Sequence, residues 1–269
     1  MSNEVSRYRC LLVESRGAVD WVTLNRPQQL NALDAELTSE LLDYFQRLYF
    51  DHAVRIVVLR GAGKAFCAGL DLKEAGSTVK PSPAEALRKQ RSISEIVMRM
   101  RRAPQPIVSL IQGAACGGGF ALALASDIRI AGESARMNAA FIRIGLSACD
   151  IGVSYFLPRL VGVSLASELM LTGRFIDAAR ALRSGLVSEV VPDKELERAT
   201  QGYVDDMLAT APLGLRLTKE GLNQSVDAGS LESVIAMEDR QQCLCGQSDD
   251  LREAIDAFIA KRPPVYQDS

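Results

Sequence analysis

Histidine is almost absent from this sequence: His52 is the only one in 269 residues. That excludes a metal centre built on several histidines. It also means that any Ser–His or Cys–His nucleophile would run through a residue in what reads as a surface turn between a helix and a strand. Cysteine is sparse as well. Cys10, Cys67, Cys116, Cys149, Cys243 and Cys245 are scattered and form no CxxC pair. Cys243 and Cys245 have neither a second pair nor a histidine beside them to make a zinc site. The expectation is therefore reduced thiols, mostly buried as small hydrophobes, and no metal. Long apolar runs are missing: a stretch such as Phe120 to Ala125 falls far short of the roughly 20 residues that span a bilayer. The polar segment Met1 to Cys10 lacks an apolar signal core, so a cytoplasmic protein with no membrane partner is expected. There is no excess of charge either. A formal net charge of −2 gives no electrostatic reason to expect nucleic acid as a partner.

Several phosphate and nucleophile motifs fail on inspection. Gly63-Lys64 is followed by Ala65 and lacks the earlier glycine of a P-loop. Gly61-Ala62-Gly63 does not continue into GxGxxG, and no GxSxG elbow occurs.

What is present is an ordinary globular balance, 48% apolar and 24% charged, suited to one α/β core of about 200 residues with a helical appendage. Cys10 to Glu14 and Val19 to Leu24 read as short strands joined at Arg16-Gly17-Ala18. Asp34 is placed to cap a helix whose Leu37, Leu41, Phe45 and Leu48 recur at helical spacing. Val54 to Leu59 and Ile107 to Ile111 are near-continuous apolar runs, as in strands covered on both faces. Between them, Ser77 to Pro83 is poor in apolar residues. A basic helix follows from Ala84 to Arg102, with Met98 and Met100 expected in the core and its cations forming either a solvated face or a phosphate contact. After the strand Ile128 to Ala131, helices dominate from Ser154 onward. The last begins after Ser248 and carries Leu251, Ile255, Phe258 and Ile259 as one apolar stripe. The organisation expected is a core over residues 1–195 and a helical oligomerisation region over 196–269.

Two glycine-bearing segments each follow a buried strand: Lys64 to Leu72, containing Ala68-Gly69-Leu70, and Gly113 to Phe120, containing Gly117-Gly118-Gly119. Ligands gather at strand ends in α/β sheets, and glycine there exposes backbone N–H groups without side-chain cover. A helix starting after the third glycine would aim its free N–H groups at the same place. Converged, the two segments would make a two-donor oxyanion hole. Taken alone, a triple glycine is more often a tight turn or a close packing point.

These segments, together with Leu24-Asn25-Arg26-Pro27, Asn31-Ala32-Leu33, Ala125-Ser126-Asp127-Ile128-Arg129-Ile130-Ala131, Leu171-Thr172-Gly173-Arg174, Ala181 to Val191 and Phe258 to Pro263, resemble the enoyl-CoA hydratase/isomerase (crotonase) family along nearly the whole chain. The resemblance implies an α/β fold, a spiral of ββα units followed by C-terminal helices that build trimers or hexamers as dimers of trimers. It implies an acyl-CoA substrate and no cofactor beyond that thioester. The thioester oxygen would be held by the N–H groups of Leu70 and Gly118. Ala68, Leu70, Asp71, Leu72 and Lys73 would contact the CoA moiety, and Phe258 and Lys261 would complete the adenine pocket, in some members from a neighbouring subunit.

The sequence also departs from the family. Hydratases place one glutamate two residues after the triple glycine and another twenty residues further on; here these positions hold Ala121 and Phe141. Neither moves a proton, and Phe141 suggests an apolar wall for the acyl group. Gly145-Leu146-Ser147-Ala148-Cys149-Asp150 is similar, one residue out of register, to the loop that carries an aspartate in dienoyl-CoA isomerase-like members. Asp150 is thus either the acid/base, with a pKa raised among apolar neighbours, or a helix cap, or both. Cys67, Cys116 and Cys149 lie near these segments with no base to activate them. Three functions follow: a lyase or isomerase using Asp150, a non-catalytic acyl-CoA binder or carrier, or another thioester reaction such as C–C cleavage.

Overall fold

The computed structural model describes residues 7–75 and 81–268. The first strands, β1 (Leu11–Arg16) and β2 (Val19–Leu24), form the expected hairpin about Gly17, with Val22 opposite Val13. Helix α1 (Ala35–Leu48) starts where Asp34 accepts the Leu37 N–H, and buries Leu37, Leu41, Phe45 and Leu48. Then come β3 (Ile56–Gly61), the short α2 (Leu72–Ala75) and α3 (Pro83–Arg102). Ser82 and Glu85 close a capping box at the start of α3. Residues 77–80 of the apolar-poor stretch lie outside the described residues. The chain continues through β4 (Ile107–Ile111), β5 (Ala114–Cys116), α4 (Gly118–Ala125), β6 (Ile128–Gly132) and β7 (Arg136–Asn138). Helix α5 (Val153–Thr172) bends at non-helical Gly162 and precedes β8 (Ile176–Asp177), α6 (Ala178–Arg183) and β9 (Glu189–Val191). The remainder is helical: α7 (Leu196–Leu208), α8 (Pro212–Ser225), α9 (Leu231–Gly246) and α10 (Asp249–Ala260).

Six strands make one sheet in the order β1-β2-β3-β4-β6-β9, parallel except for the hairpin, and β5-β7-β8 make a second. Both faces of the larger sheet are covered, as the continuous apolar runs require. Val22, Leu24, Val57, Leu59, Ile107 and Ile111 pack under α1, α3 and α4. Val19, Trp21, Ile56, Val58, Val108 and Leu110 pack against Leu196 and Val204 of α7.

Two expectations about burial fail, and a third feature takes an outward face. Met100 is fully buried, but Met98 is 47% exposed: the two are separated by two positions on a helix, so they cannot share a face. Only Cys10 and Cys67 among the cysteines are buried; Cys116 and Cys245 are half-buried, and Cys149 and Cys243 exposed. The stripe on α10 points outward, since Leu251, Ile255, Phe258 and Ile259 are all exposed while Asp250 and Ala257 are buried. Asp250 takes the backbone N–H groups of Gln267 and Asp268, which folds the C-terminal tail back on the helix.

Candidate active site

The two glycine segments meet. The chain leaving β3 runs beside Leu33 as a single parallel bridge at Leu70: the Leu33 N–H donates to the Gly69 carbonyl at 2.7 Å, and the Asp71 N–H to the Leu33 carbonyl at 3.0 Å. In an extended segment alternate residues face opposite sides, so the N–H of Leu70 itself points away from Leu33. The chain leaving β4 is tied to the same segment, with the Cys67 N–H on the Ala114 carbonyl at 3.1 Å and the Cys116 N–H on the Cys67 carbonyl at 2.9 Å. These bonds bring Gly69 and Gly118 into backbone contact. A Cβ built on Gly69 would lie 3.2 Å from the Gly118 nitrogen, and one built on Gly118 would lie 3.7 Å from the Gly69 Cα. Gly69 has φ +91°, and Gly117, the N-cap of α4, has φ +50° and ψ −114°, conformations that glycine alone tolerates well. Among the described residues neither the Leu70 nor the Gly118 N–H donates to any protein group. Gly118 is the first residue of α4, so its N–H also lies at the positive end of the helix dipole.

The walls are apolar. Phe141, buried in the turn Ala140–Ile144, lays its ring 3.4 Å from where a Gly117 Cβ would stand. Ala121 is fully buried in α4, with no proton to give. Leu33 and Ile151 close in on Gly118, their Cδ1 atoms 2.8 and 3.7 Å from its built Cβ. Ile151 is a β-branched residue held at φ +45°, a strained conformation that nothing in the sequence announced. It also lines a cavity of about 1060 Å³ that opens between α3, α5 and α8.

Asp150 directly precedes Ile151. Its carboxyl is half-buried, which raises its pKa; hydrogen bonds from the Ile151 N–H and the Gln90 amide act in the opposite direction. The helix-cap alternative fails. The N-cap of α5 is Gly152, with no side-chain cap, and Asp150 Oδ1 instead accepts from Gln90 Nε2 at 2.5 Å. It is the Asp150 backbone carbonyl, not its carboxyl, that takes the Val153 N–H, at 2.9 Å.

The other expected site residues divide into two groups. Ala68 is fixed by its N–H on the Leu30 carbonyl. Asp71 pairs with Arg26 at 3.1 Å and accepts the Lys73 N–H, so it ties the Asn25-Arg26-Pro27 turn to the start of α2; Arg26 also pairs with Asp34 at 2.8 Å. Leu72 and Lys73 are exposed beside it. Phe258 and Lys261 lie at the exposed C-terminal end of α10 and make no hydrogen bond or ion pair among the described residues to either glycine segment. Burial pushes the Cys67 thiol up to about 12 and raises Cys116, which disfavours either as a nucleophile. Asn138 and Tyr155 act locally, on the Gly173 carbonyl and on Asp227. Among the described residues no group of acidic, histidine or cysteine side chains is arranged to hold a metal ion, and no helix is long and apolar enough to cross a membrane.

Comparison with known proteins places this arrangement. Residues 14–269 match the enoyl-CoA hydratase/isomerase family. The protein named "Probable enoyl-CoA hydratase EchA12" of Mycobacterium tuberculosis is 38% identical over 263 residues, 96% of this chain and 92% of that protein. The 1,2-epoxyphenylacetyl-CoA isomerase of Escherichia coli is 34% identical over 246 residues, 91% of this chain and 93% of that one. The crystal structure of an enoyl-CoA hydratase from Bacillus anthracis superposes with a TM-score of 0.92 at 34% identity, covering 97% of this chain and 100% of that one. The chain therefore has the crotonase-like α/β fold and belongs to the enoyl-CoA hydratase/isomerase family.

Proposed function

We propose that this protein isomerises the double bond of an unsaturated acyl-CoA, with Leu70 and Gly118 as its oxyanion hole and Asp150 as its acid/base. The observation that carries the reading is the contact between Gly69 and Gly118, which brings the segment holding the unpartnered Leu70 N–H against the start of α4. Ionised Asp150 takes a proton from the acyl chain, and the electron pair moves into the thioester carbonyl. The resulting enolate oxygen accepts both N–H bonds, and the proton returns to a different carbon, shifting the double bond. Each such donor is worth about 3 kcal/mol of barrier. No cofactor enters beyond the thioester. An isomerase suits the site better than a standard hydratase because Ala121 and Phe141 leave only one carboxyl to work with.

In this reading Ala68, Leu70, Asp71, Leu72 and Lys73 line the CoA path and Phe141 walls the acyl group. Phe258 and Lys261 reach the adenine of a neighbouring subunit, in a trimer or a dimer of trimers assembled through residues 196–269. Their exposure at the end of α10 favours that arrangement. A non-catalytic acyl-CoA binder is the second reading, favoured by the same loss of both glutamates.

Deuterium wash-in separates the two. The protein is incubated in D₂O with a panel of 2-enoyl-, 3-enoyl- and dienoyl-CoA thioesters, and label in the acyl chain is read by mass spectrometry. Label is expected with the native protein and not with Asp150→Asn. Tight binding with no label on any thioester would establish the binder; equal label from both proteins would remove Asp150 from the mechanism.

A further inference from the structure

The Asp150 carboxyl is held from a distant part of the chain. Gln90, in the N-terminal half of α3, gives its Nε2–H to Asp150 Oδ1 at 2.5 Å across a sequence separation of 60 residues. The Ile151 N–H supplies a second bond to the same carboxyl. We infer that Gln90 is a positioning residue for Asp150, holding its carboxyl in one orientation through both protonation states; this rests on the reading of Asp150 as the proton carrier.

The argument lies in what a glutamine offers that a cation does not. Lysine and arginine only donate, so either would hold Asp150 ionised and oppose its keeping a proton in mid-reaction. A carboxamide carries a donor and an acceptor on one plane. It donates Nε2–H to the carboxylate and, turned over, accepts the acid O–H on Oε1. A group that must gain and lose a proton in each cycle thus keeps its partner throughout. The surrounding charges leave this role to Gln90. The cations on the elements around the loop are Arg88, Lys89, Arg91, Arg99, Arg101 and Arg102 of α3, Arg143 of the turn 140–144, Arg159 of α5, and Arg216 and Lys219 of α8. Arg99 and Arg102 lie on Glu95, and Arg216 lies on Asp268. Arg101 and Lys219 lie on Asp127, and Arg159 lies on Asp227. The carboxyl is governed by burial and its two hydrogen bonds, with no charged side chain among the influences on it.

The sign of the effect follows. A donor to the carboxylate favours the ionised form, so removing it raises the Asp150 pKa. If ionised Asp150 is the base, the acid limb of the rate then moves to higher pH. The full chain, labelled with ¹³C at the aspartate carboxyl carbons, is titrated by NMR, with Asp150 assigned from Asp150→Asn. Wash-in against pH is measured on the same proteins. Gln90→Leu should raise the Asp150 midpoint and the acid limb together by about one unit, and Gln90→Glu, which adds a like charge, should raise both further. Gln90 is exposed on the helix surface, so both variants should keep the native melting temperature, and a purely structural tether would move neither pH reading.

The outcomes are distinct. If Asp150→Asn abolishes wash-in but Gln90→Leu leaves midpoint and limb unchanged, the positioning role is overturned and the proposed function stands. If Asp150→Asn exchanges at the native rate, the proton carrier lies elsewhere, and the role of Gln90 in catalysis falls with it.

Discussion

At the scale of single residues the site is made of backbone, and glycine is what allows it. Gly69 carries the sharpest constraint. Beyond its φ of +91°, a Cβ there would stand 2.6 Å from the Cys116 carbonyl oxygen, which is itself fixed between strands. In Gly69→Ala the two segments must part, taking the Leu70 N–H away from the Gly118 N–H. The nearby Gly145 is the control. It also has positive φ, +82°, but a Cβ there meets nothing within 4 Å. Both alanine variants bear the left-handed strain of about 1–2 kcal/mol, measured by urea denaturation. Gly69→Ala alone should also lose wash-in by about a hundredfold or more, the loss typical of one displaced oxyanion donor. Equal losses of activity in both variants would mean that the spacing of the glycine pair is not what matters. The glycines were legible in the sequence because close backbone approach excludes a side chain. Ile151 and Gln90 were not. A β-branched residue is the least expected occupant of positive φ, and a hydrogen bond from α3 to a loop 60 residues later leaves no local pattern.

At the scale of elements, the motif Ala125 to Ala131 is explained by how α4 is anchored. This helix is buried on every side, so its C-terminal carbonyls need partners from the protein. Arg129 supplies them: its guanidinium reaches the Ala123 and Ser126 carbonyls, and its Nε donates to the Leu186 carbonyl at 2.8 Å. Asp127 does the converse, accepting the Ile107 N–H at 2.8 Å and pairing with Lys219 of α8 at 2.8 Å. Lys219 in turn caps the end of α3 through the Met100 and Gln105 carbonyls, and burial lowers its pKa. One buried cation thus joins α3, α8 and the strand β4. Replacing it by an apolar residue of similar length removes the buried cation nearest Asp127 and leaves the Met100 and Gln105 carbonyls without this donor, so Lys219→Met should cost about 3 kcal/mol in chemical denaturation. Asp127→Asn, which keeps an acceptor for Ile107, should cost less. The reverse order would mean that the pair contributes less than the capping bonds. None of this was legible as pairing, because ion pairs between distant elements carry no periodicity. The strands β2 and β4 and the helices α1 and α3 were legible nearly to the residue, since caps, apolar runs and prolines mark their ends. For α10 the period was legible and the exposure of the stripe was not, because helical spacing identifies a face and says nothing about what covers it.

At the scale of the whole molecule, that uncovered face is the feature a single chain does not account for. Phe258 is 84% exposed and Ile259 73%, and Leu231 and Leu244 of α9 are exposed as well. An exposed apolar stripe along one helix marks a contact between chains more often than chance solvent exposure. The proposed role of Phe258 and Lys261 in a neighbour's adenine pocket would make use of the same face. Phe258→Ser combined with Ile259→Ser removes the centre of this surface without touching a buried residue, so the fold should survive. Sedimentation velocity at micromolar concentration should show the native protein as a trimer or hexamer and the double variant as smaller species. Calorimetry should show weaker binding of CoA thioesters by the variant, because the neighbour's contribution to the adenine pocket is lost with the interface. A variant that keeps its mass but loses affinity would place Phe258 in a site and not at an interface. One that dissociates yet binds as before would show that each chain completes its own CoA pocket. Loss of both together is the result that a shared pocket requires, and it would make assembly a condition of activity.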